Sequence, residues 1–244
     1  MGTRNQRAIM VTRPSSQNHF LAKLLFKEGY KVIEEPLLKI RSQPRALNLS
    51  HVQALIFTSS NAVDPFCSCN PQRDLPVFAV GTATALAAEK NQFGTIFKGD
   101  AGVEKLLQTV IKTCVPDKGK IMYLSGEDIR FDVTEALNEF GLNVKREIVY
   151  RAEPAKKLSL RGVSAIEEGE VAAIMFYSPR TSAIFAKLAH ETEIVEKCRD
   201  IKAVCFSPAV AEPVSLLPWQ DLIAVNTPQT SILLDVLRKA VPLN

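Results

Sequence analysis

The sequence predicts an α/β protein made of two doubly wound parallel-sheet domains that share an internal repeat. Three observations predict this. The chain matches itself without gaps at an offset of 112 residues, a second pair of matching segments interleaves with the first, and the short apolar strands do not alternate with polar residues. Strands separated by helices need crossover connections, which parallel sheets use. Strands apolar on both faces fit sheets covered on both sides.

Residues 9–38 begin with a short apolar strand, pass through the polar turn Arg13-Pro14-Ser15-Ser16, and continue as a helix. Its apolar positions, Phe20, Leu21, Leu24 and Leu25, have helical spacing. Gly29 stands where a helix C-cap is expected, and an extended segment follows. The strand Leu55–Phe57 leads into Thr58, Ser59, Ser60 and Asn61. The strand Val77–Val80 leads into Gly81, Thr82 and Thr84.

Residues 121–150 then repeat the layout of 9–38. Ile121 lies over Ile9, Met122 over Met10, Gly141 over Gly29 and Val144 over Val32. The turn here holds Ser125, Gly126, Glu127, Asp128 and Arg130, and the helix positions are Val133, Ala136, Leu137 and Phe140. Residues 174–182 repeat 55–63 at an offset of 119, so Ser178, Pro179 and Arg180 follow the strand Ile174–Phe176 with Ser178 over Ser59. Residues 204–214 lie over 78–88, with Ser207 over Gly81.

The order is A–B–A′–B′, two copies of one α/β half, giving domains of about 110 residues each. Simple succession would pair A with B and A′ with B′. The interleaved option makes B with A′ a continuous middle domain, and A with B′ a discontinuous one. Two strand-like segments then cross between domains near 37–41 and 149–154, punctuated by Pro36, Pro44 and Pro154. The residues by themselves leave both options open.

Composition excludes several function classes. Thirty basic against 26 acidic side chains leave a charge of +4, too mild for nucleic acid and suited to a small anionic ligand. No run approaches a membrane span, and Met1 to Arg7 precede no apolar stretch of signal-peptide length. The cysteines Cys67, Cys69, Cys114, Cys198 and Cys205 lack metal spacing, as do the three histidines, so reduced structural thiols and no metal are expected. Neither a dinucleotide nor an NTP fingerprint is present, and no nucleophile elbow. The acidic pairs Glu34–Glu35, Glu127–Asp128 and Glu167–Glu168 read as solvated turn or helix faces.

In open parallel sheets, ligands bind outside the carboxyl ends of the strands. Each small-polar turn above lies at such an end. Helix starts offer N–H groups and a positive dipole end to anions, and hydroxyls add donors. The same side chains serve as ordinary caps, so a single turn is no site. Convergence of six in one cleft is the expectation that matters.

"VTRP" (11–14), "IFTSSNAV" (56–63), "AVGTATA" (79–85), Gly126 to Arg130, "EIVYRA" (147–152) and "FYSP" (176–179), in this order and spacing, resemble the uroporphyrinogen-III synthase family over nearly the whole chain. The resemblance implies the interleaved fold with a two-strand bridge: residues 1–38 with 153–244 as one domain and 41–150 as the other. It also implies a cytoplasmic, cofactor-free enzyme, expected to be a monomer. Its substrate would be hydroxymethylbilane, a linear tetrapyrrole with eight carboxylates. Loss of the terminal hydroxyl leaves an azafulvene on ring A, and the substituted carbon of ring D attacks to give a spiro intermediate that recloses with ring D reversed. Unaided, the bilane closes to isomer I, so positioning and charge stabilisation would do the catalysis, with the domains closing on their bridge.

By position, Tyr150 matches the family tyrosine that assists departure of the hydroxyl. Arg13, Thr58, Ser59, Ser60, Asn61, Gly81, Thr82, Thr84, Gly126, Arg130, Ser178, Pro179, Arg180 and Ser207 are the candidate substrate-binding residues. The arginines suit carboxylates through bidentate geometry. One stretch departs from the pattern. Where the family has Gly and a Thr-Thr pair, this chain has Ser207, Ala209 and Val210, and Pro213 falls where a helix should run. Either backbone amides suffice there or the grip is weaker on that side. The divergence is the feature that favours an alternative, a non-catalytic ligand-binding or regulatory protein on the same two-domain fold. A transferase acting on another anion is opposed by the missing nucleotide fingerprint.

Overall fold

A computed structural model describes residues 7–99, 102–129, 131–227 and 229–243, without the side chains of Ser16, Gln17 and Phe20. In chain order its first elements are β1 (Ala8–Val11), α1 (Ser15–Lys27), β2 (Val32–Glu34), β3 (Leu38–Ser42) and β4 (Val52–Phe57). There follow α2 (Val63–Cys67), β5 (Val77–Val80), α3 (Thr82–Lys90), β6 (Ile96–Gly99), α4 (Val103–Thr113) and β7 (Lys120–Gly126). Next come α5 (Val133–Asn138), β8 (Val144–Pro154), α6 (Leu160–Glu167), β9 (Val171–Phe176) and α7 (Pro179–Glu191). The last are β10 (Lys202–Cys205), α8 (Pro208–Ala211), β11 (Asp221–Ala224) and α9 (Thr230–Ala240).

The chain forms two compact units, Met1–Lys39 with Glu153–Asn244, and Ile40–Ala152. The first unit holds a sheet of order β2-β1-β9-β10-β11, and every pairing in it is parallel. Numbered within the unit this is 2-1-3-4-5, an order of doubly wound sheets. The second unit holds β8-β7-β4-β5-β6 in parallel, with β3 hydrogen-bonded beyond β8. Repeat partners occupy equal places: β1 and β7, β9 and β4, β10 and β5. The second sheet is therefore the first one circularly permuted, because the chain enters it at B instead of A. β3 and β8 carry the chain from one unit to the other.

Both sheets are covered on both faces, as unalternating apolar strands require. In the first unit Met10, Ile174 and Phe176 pack with Phe185 and Leu188 of α7, while Ile9, Val11 and Met175 pack with Leu21, Leu25, Leu233 and Leu237 of α1 and α9. In the second, Leu55, Phe57 and Leu124 meet Phe66 and Phe93. Ile56, Ile121 and Tyr123 meet Leu106, Val110 and Leu137 on the other face. Neighbouring strand residues point to opposite faces, so one apolar run feeds two cores. Each large side chain so buried contributes roughly 1.5–3 kcal/mol.

Gly29 and Gly141 end equivalent helices in the same way. Each has positive φ (102° and 75°), and the flanking amides bond back to the last turn: Gly29 N to Phe26 O and Tyr30 N to Leu25 O, Gly141 N to Asn138 O and Leu142 N to Leu137 O. This is the paired Schellman arrangement, in which a glycine avoids the Cβ cost of the left-handed region.

Three sequence expectations need correction. Phe140 lies past α5, in that terminal turn, and is 60% exposed; the six-residue helix is too short to bring it to the apolar face. Glu35 is buried rather than solvated, and accepts hydrogen bonds from Ser159 N (2.9 Å) and Ser159 Oγ (2.5 Å) at the start of α6. The dipole and donors of the helix start offset the cost of burying that carboxylate. Ser125 and Gly126 are strand residues, because β7 runs to Gly126. Pro213 does shorten the helix before it: α8 has four residues and passes into a 3-10 turn at Glu212–Val214. Proline has no N–H for the helical ladder, and its ring meets the carbonyl four residues back.

Candidate functional site

The switch point of the second unit lies between β4 and β7, whose carboxyl ends bring together several predicted residues. Thr58 follows β4, and its hydroxyl is 3.1 Å from the phenol oxygen of Tyr123 on β7. Burial pushes the Tyr123 phenol up from its ordinary value, and the Thr58 hydrogen bond opposes this. At the end of β7 the register with β8 shifts: Ser125 faces Ile148, and Gly126 faces Tyr150. Val149 is the extra residue of this bulge, which re-aims the side chain after it. A Cβ on Gly126 would stand 2.6 Å from Tyr150 Cζ and 2.9 Å from its hydroxyl oxygen, so the phenol rests on the bare backbone of Gly126. Tyr150 is half-buried against the Phe57–Phe66–Phe93 core.

Arg146 of β8 was not singled out from the sequence. It donates from Nε to Ser125 Oγ (2.8 Å) and from Nη2 to the carbonyls of Gly126 and Glu127, each at 2.7 Å. Its only sequence signal was its place four residues before Tyr150.

The predicted turns separate by what their helix starts have left to offer. Ser59 caps the 3-10 turn Ser60–Ala62 by accepting from Asn61 N, so Ser60 and Asn61 belong to a capped turn. Ser178 caps α7 by accepting from Thr181 N, with Pro179 and Arg180 as its first two residues; Pro179 and Arg180 are exposed. These hydroxyls serve the cap. By contrast α1 and α3 begin without a side-chain cap. At α3 the cap residue is Gly81, with φ 76°, and Thr82 is exposed. Thr84 in that first turn is buried, with only 4% exposure. The α8 start is poorer: Pro208 has no N–H, and the amides of Val210 and Ala211 bond to Ser207 O. Of the two options for that loop, a backbone-amide grip therefore has little to work with. Arg130 lies outside the described residues.

In the first unit the equivalent switch point lies between β1 and β9. Arg13 follows β1, and its guanidinium carbon sits 4.4 Å above the ring of Tyr177, which follows β9. Tyr177 stacks in turn on Phe206 at 5.4 Å, so the divergent loop contributes an aromatic platform. Burial pushes the Tyr177 phenol up to about 12, and lowers Arg13 from its ordinary value. The ring is held neutral under that cation, at the carboxyl end of the sheet.

Among the described residues no group of three or more His, Cys, Asp or Glu side chains could hold a metal, and no helix is long and apolar enough to cross a membrane. All five cysteines are free.

A family model described as uroporphyrinogen-III synthase HemD matches residues 19–234. A comparison with curated protein sequences gives no significant match. Among solved structures, uroporphyrinogen-III synthetase from Helicobacter pylori is similar with a TM-score of 0.66 at 18% identity, covering 96% of this chain and 99% of its own. A mutant uroporphyrinogen III synthase from the extremely thermophilic bacterium Thermus thermophilus gives 0.49 at 14% identity, covering 96% and 98%.

Proposed function

The chain belongs to the uroporphyrinogen-III synthase family, and from that premise we propose that it cyclises hydroxymethylbilane to uroporphyrinogen III with inversion of ring D and loss of water. The match over residues 19–234 carries this reading. As a reaction class it is a hydro-lyase step without cofactor, in a cytoplasmic monomer acting in haem biosynthesis.

The substrate carries its own reactivity, so the protein has to position it and move one proton. Tyr150 is the proton donor to the departing hydroxyl. Its support is the seat on Gly126, which restricts the phenol without burying its whole surface. Proton transfer to a leaving group contributes typically about 10²–10⁴-fold; here the group also leaves unaided, so the low end applies. Loss of the phenol slows the enzyme and does not abolish it.

The open helix starts, α1 beside Arg13 and α3 after Gly81, are places suited to carboxylates. Uncapped N–H groups and the dipole favour anions there. Ser178 and Ser59 keep neighbouring turns in shape, and Thr82 adds a hydroxyl at the α3 start.

The test is an isomer assay. Purified protein receives freshly made hydroxymethylbilane with chelator and no added cofactor, and the oxidised products are separated as uroporphyrins I and III. Predominantly isomer III is expected. Isomer I alone, at the uncatalysed rate, overturns the assignment.

A further inference from the structure

We infer that Arg146 is a positioning residue for Tyr150, fixing the strand end on which the phenol rests. The inference rests on Tyr150 being the proton donor. A parallel strand pair normally ends by releasing its last carbonyls to solvent. Here one guanidinium collects the Ser125 hydroxyl and the carbonyls of Gly126 and Glu127. The Gly126 carbonyl also accepts from Ser125 Oγ at 2.9 Å, and Glu127 N donates to Tyr150 O at 3.0 Å. The end of β7 is thus tied on both sides, to Arg146 before the bulge and to Tyr150 after it.

This matters because the seat tolerates no drift. The ring lies where even one methyl on Gly126 would stand at 2.6 Å, so movement of that backbone moves the phenol. The planar fork of arginine can hold several acceptors in one plane, which lysine cannot. The fold alone does not ask for it. The equivalent position in the first unit, 112 residues earlier, is Glu34, which is exposed. The three acceptors that Arg146 holds are all neutral, so it is not balancing a buried carboxylate through them.

A kinetic cycle over Arg146→Met, Tyr150→Phe and the double variant tests this, with turnover and KM for hydroxymethylbilane as readouts. Methionine matches the arginine stem as far as Nε and removes every donor. Arg146→Met is expected to lower kcat by about 10-fold with KM changed less than about twofold, because a displaced donor affects the transition state more than binding. In the Tyr150→Phe background the same change is expected to cost less than about twofold, since residues acting as a unit are non-additive. Arg146→Lys, which keeps the charge and a single donor nitrogen, should fall between and carries the cycle if the methionine variant does not fold. Losses that multiply in the double variant, or a raised KM at unchanged kcat, overturn the positioning role while leaving Tyr150 in place. If Tyr150→Phe alone turns over at the wild-type rate, both readings fall.

Discussion

Gly126→Ala would test the seat beneath the phenol without touching any polar group. The new Cβ would stand 2.6 Å from Tyr150 Cζ, 2.8 Å from Cε2 and 2.9 Å from the hydroxyl oxygen. Carbon atoms pack at about 3.5–4.0 Å, so ring and backbone must separate by about 1 Å. Backbone strain is not the cause, since Gly126 is not among the glycines with positive φ. The strand end resists moving, because the Gly126 carbonyl accepts from both Ser125 and Arg146. The ring therefore gives way. Displacing a catalytic group by about 1 Å costs on the order of 10²-fold in rate, and overpacking costs about 1–3 kcal/mol in stability. We expect kcat to fall by about two orders of magnitude, with isomer I rising as spontaneous closure competes. The measurement is the product ratio over time, beside a urea denaturation curve. Repeating the substitution in a Tyr150→Ala background should leave a stability loss within about 0.5 kcal/mol, since the methyl then has room. Wild-type turnover in Gly126→Ala, or the same destabilisation with the ring absent, would refute the reasoning.

Two further predictions concern stability. Gln92 and Glu193 hold positive φ (66° and 57°) in helix-ending turns, each with the paired bonds seen at Gly29. Gln92→Gly and Glu193→Gly should each stabilise by about 0.5–1 kcal/mol in denaturant, as relief of left-handed strain outweighs the entropy glycine adds to the unfolded chain; destabilisation would contradict this. The buried thiols of Cys114, Cys198 and Cys205 are pushed up by burial, from 9.0 to about 11, about 12 and about 12. Because the folded state keeps these protons, their stabilising contribution is complete below pH 9 and shrinks as pH rises toward 11–12. Each should lose on the order of 1 kcal/mol by pH 10, and a melting temperature that stays level from pH 8 to 10 would remove the thiols from the account.

The sequence carried the fold because a repeat reports itself through spacing. Gly29 and Gly141 are legible since only glycine enters the left-handed region freely, so their equal offset marks two equal helix ends. Pro213 is legible for a similar reason, as a residue whose backbone chemistry forbids the helix. What stayed hidden depends on contacts between distant positions. Glu35 looks like any surface acid until Ser159, 124 residues later, closes over it. Arg146 looks like an ordinary strand charge until Ser125, Gly126 and Glu127 bring it three acceptors. The hydroxyl-rich turns look alike in the sequence, but whether Ser59 or Ser178 caps its own helix is decided by backbone angles that the residue type does not encode.

The two units share strand order and helix ends, yet they differ where chemistry is expected. The 112-residue offset carries Gly126 onto Pro14, Tyr150 onto Leu38 and Arg146 onto Glu34. The first unit therefore has no bare-backbone seat, no phenol at the bulge position and no guanidinium beneath it. Both units nevertheless put a buried phenol at the switch point. In the second it comes from β7 as Tyr123, bonded to Thr58 after β4. In the first it follows β9 as Tyr177, under Arg13 after β1. The 119-residue offset lays Tyr177 over Thr58, so the phenol has changed strands between the copies. These phenols and their partners stand toward the carboxyl ends of the central strands, the place where doubly wound sheets bind ligands. One unit keeps a cation over an aromatic platform, and the other keeps a phenol seated on bare backbone.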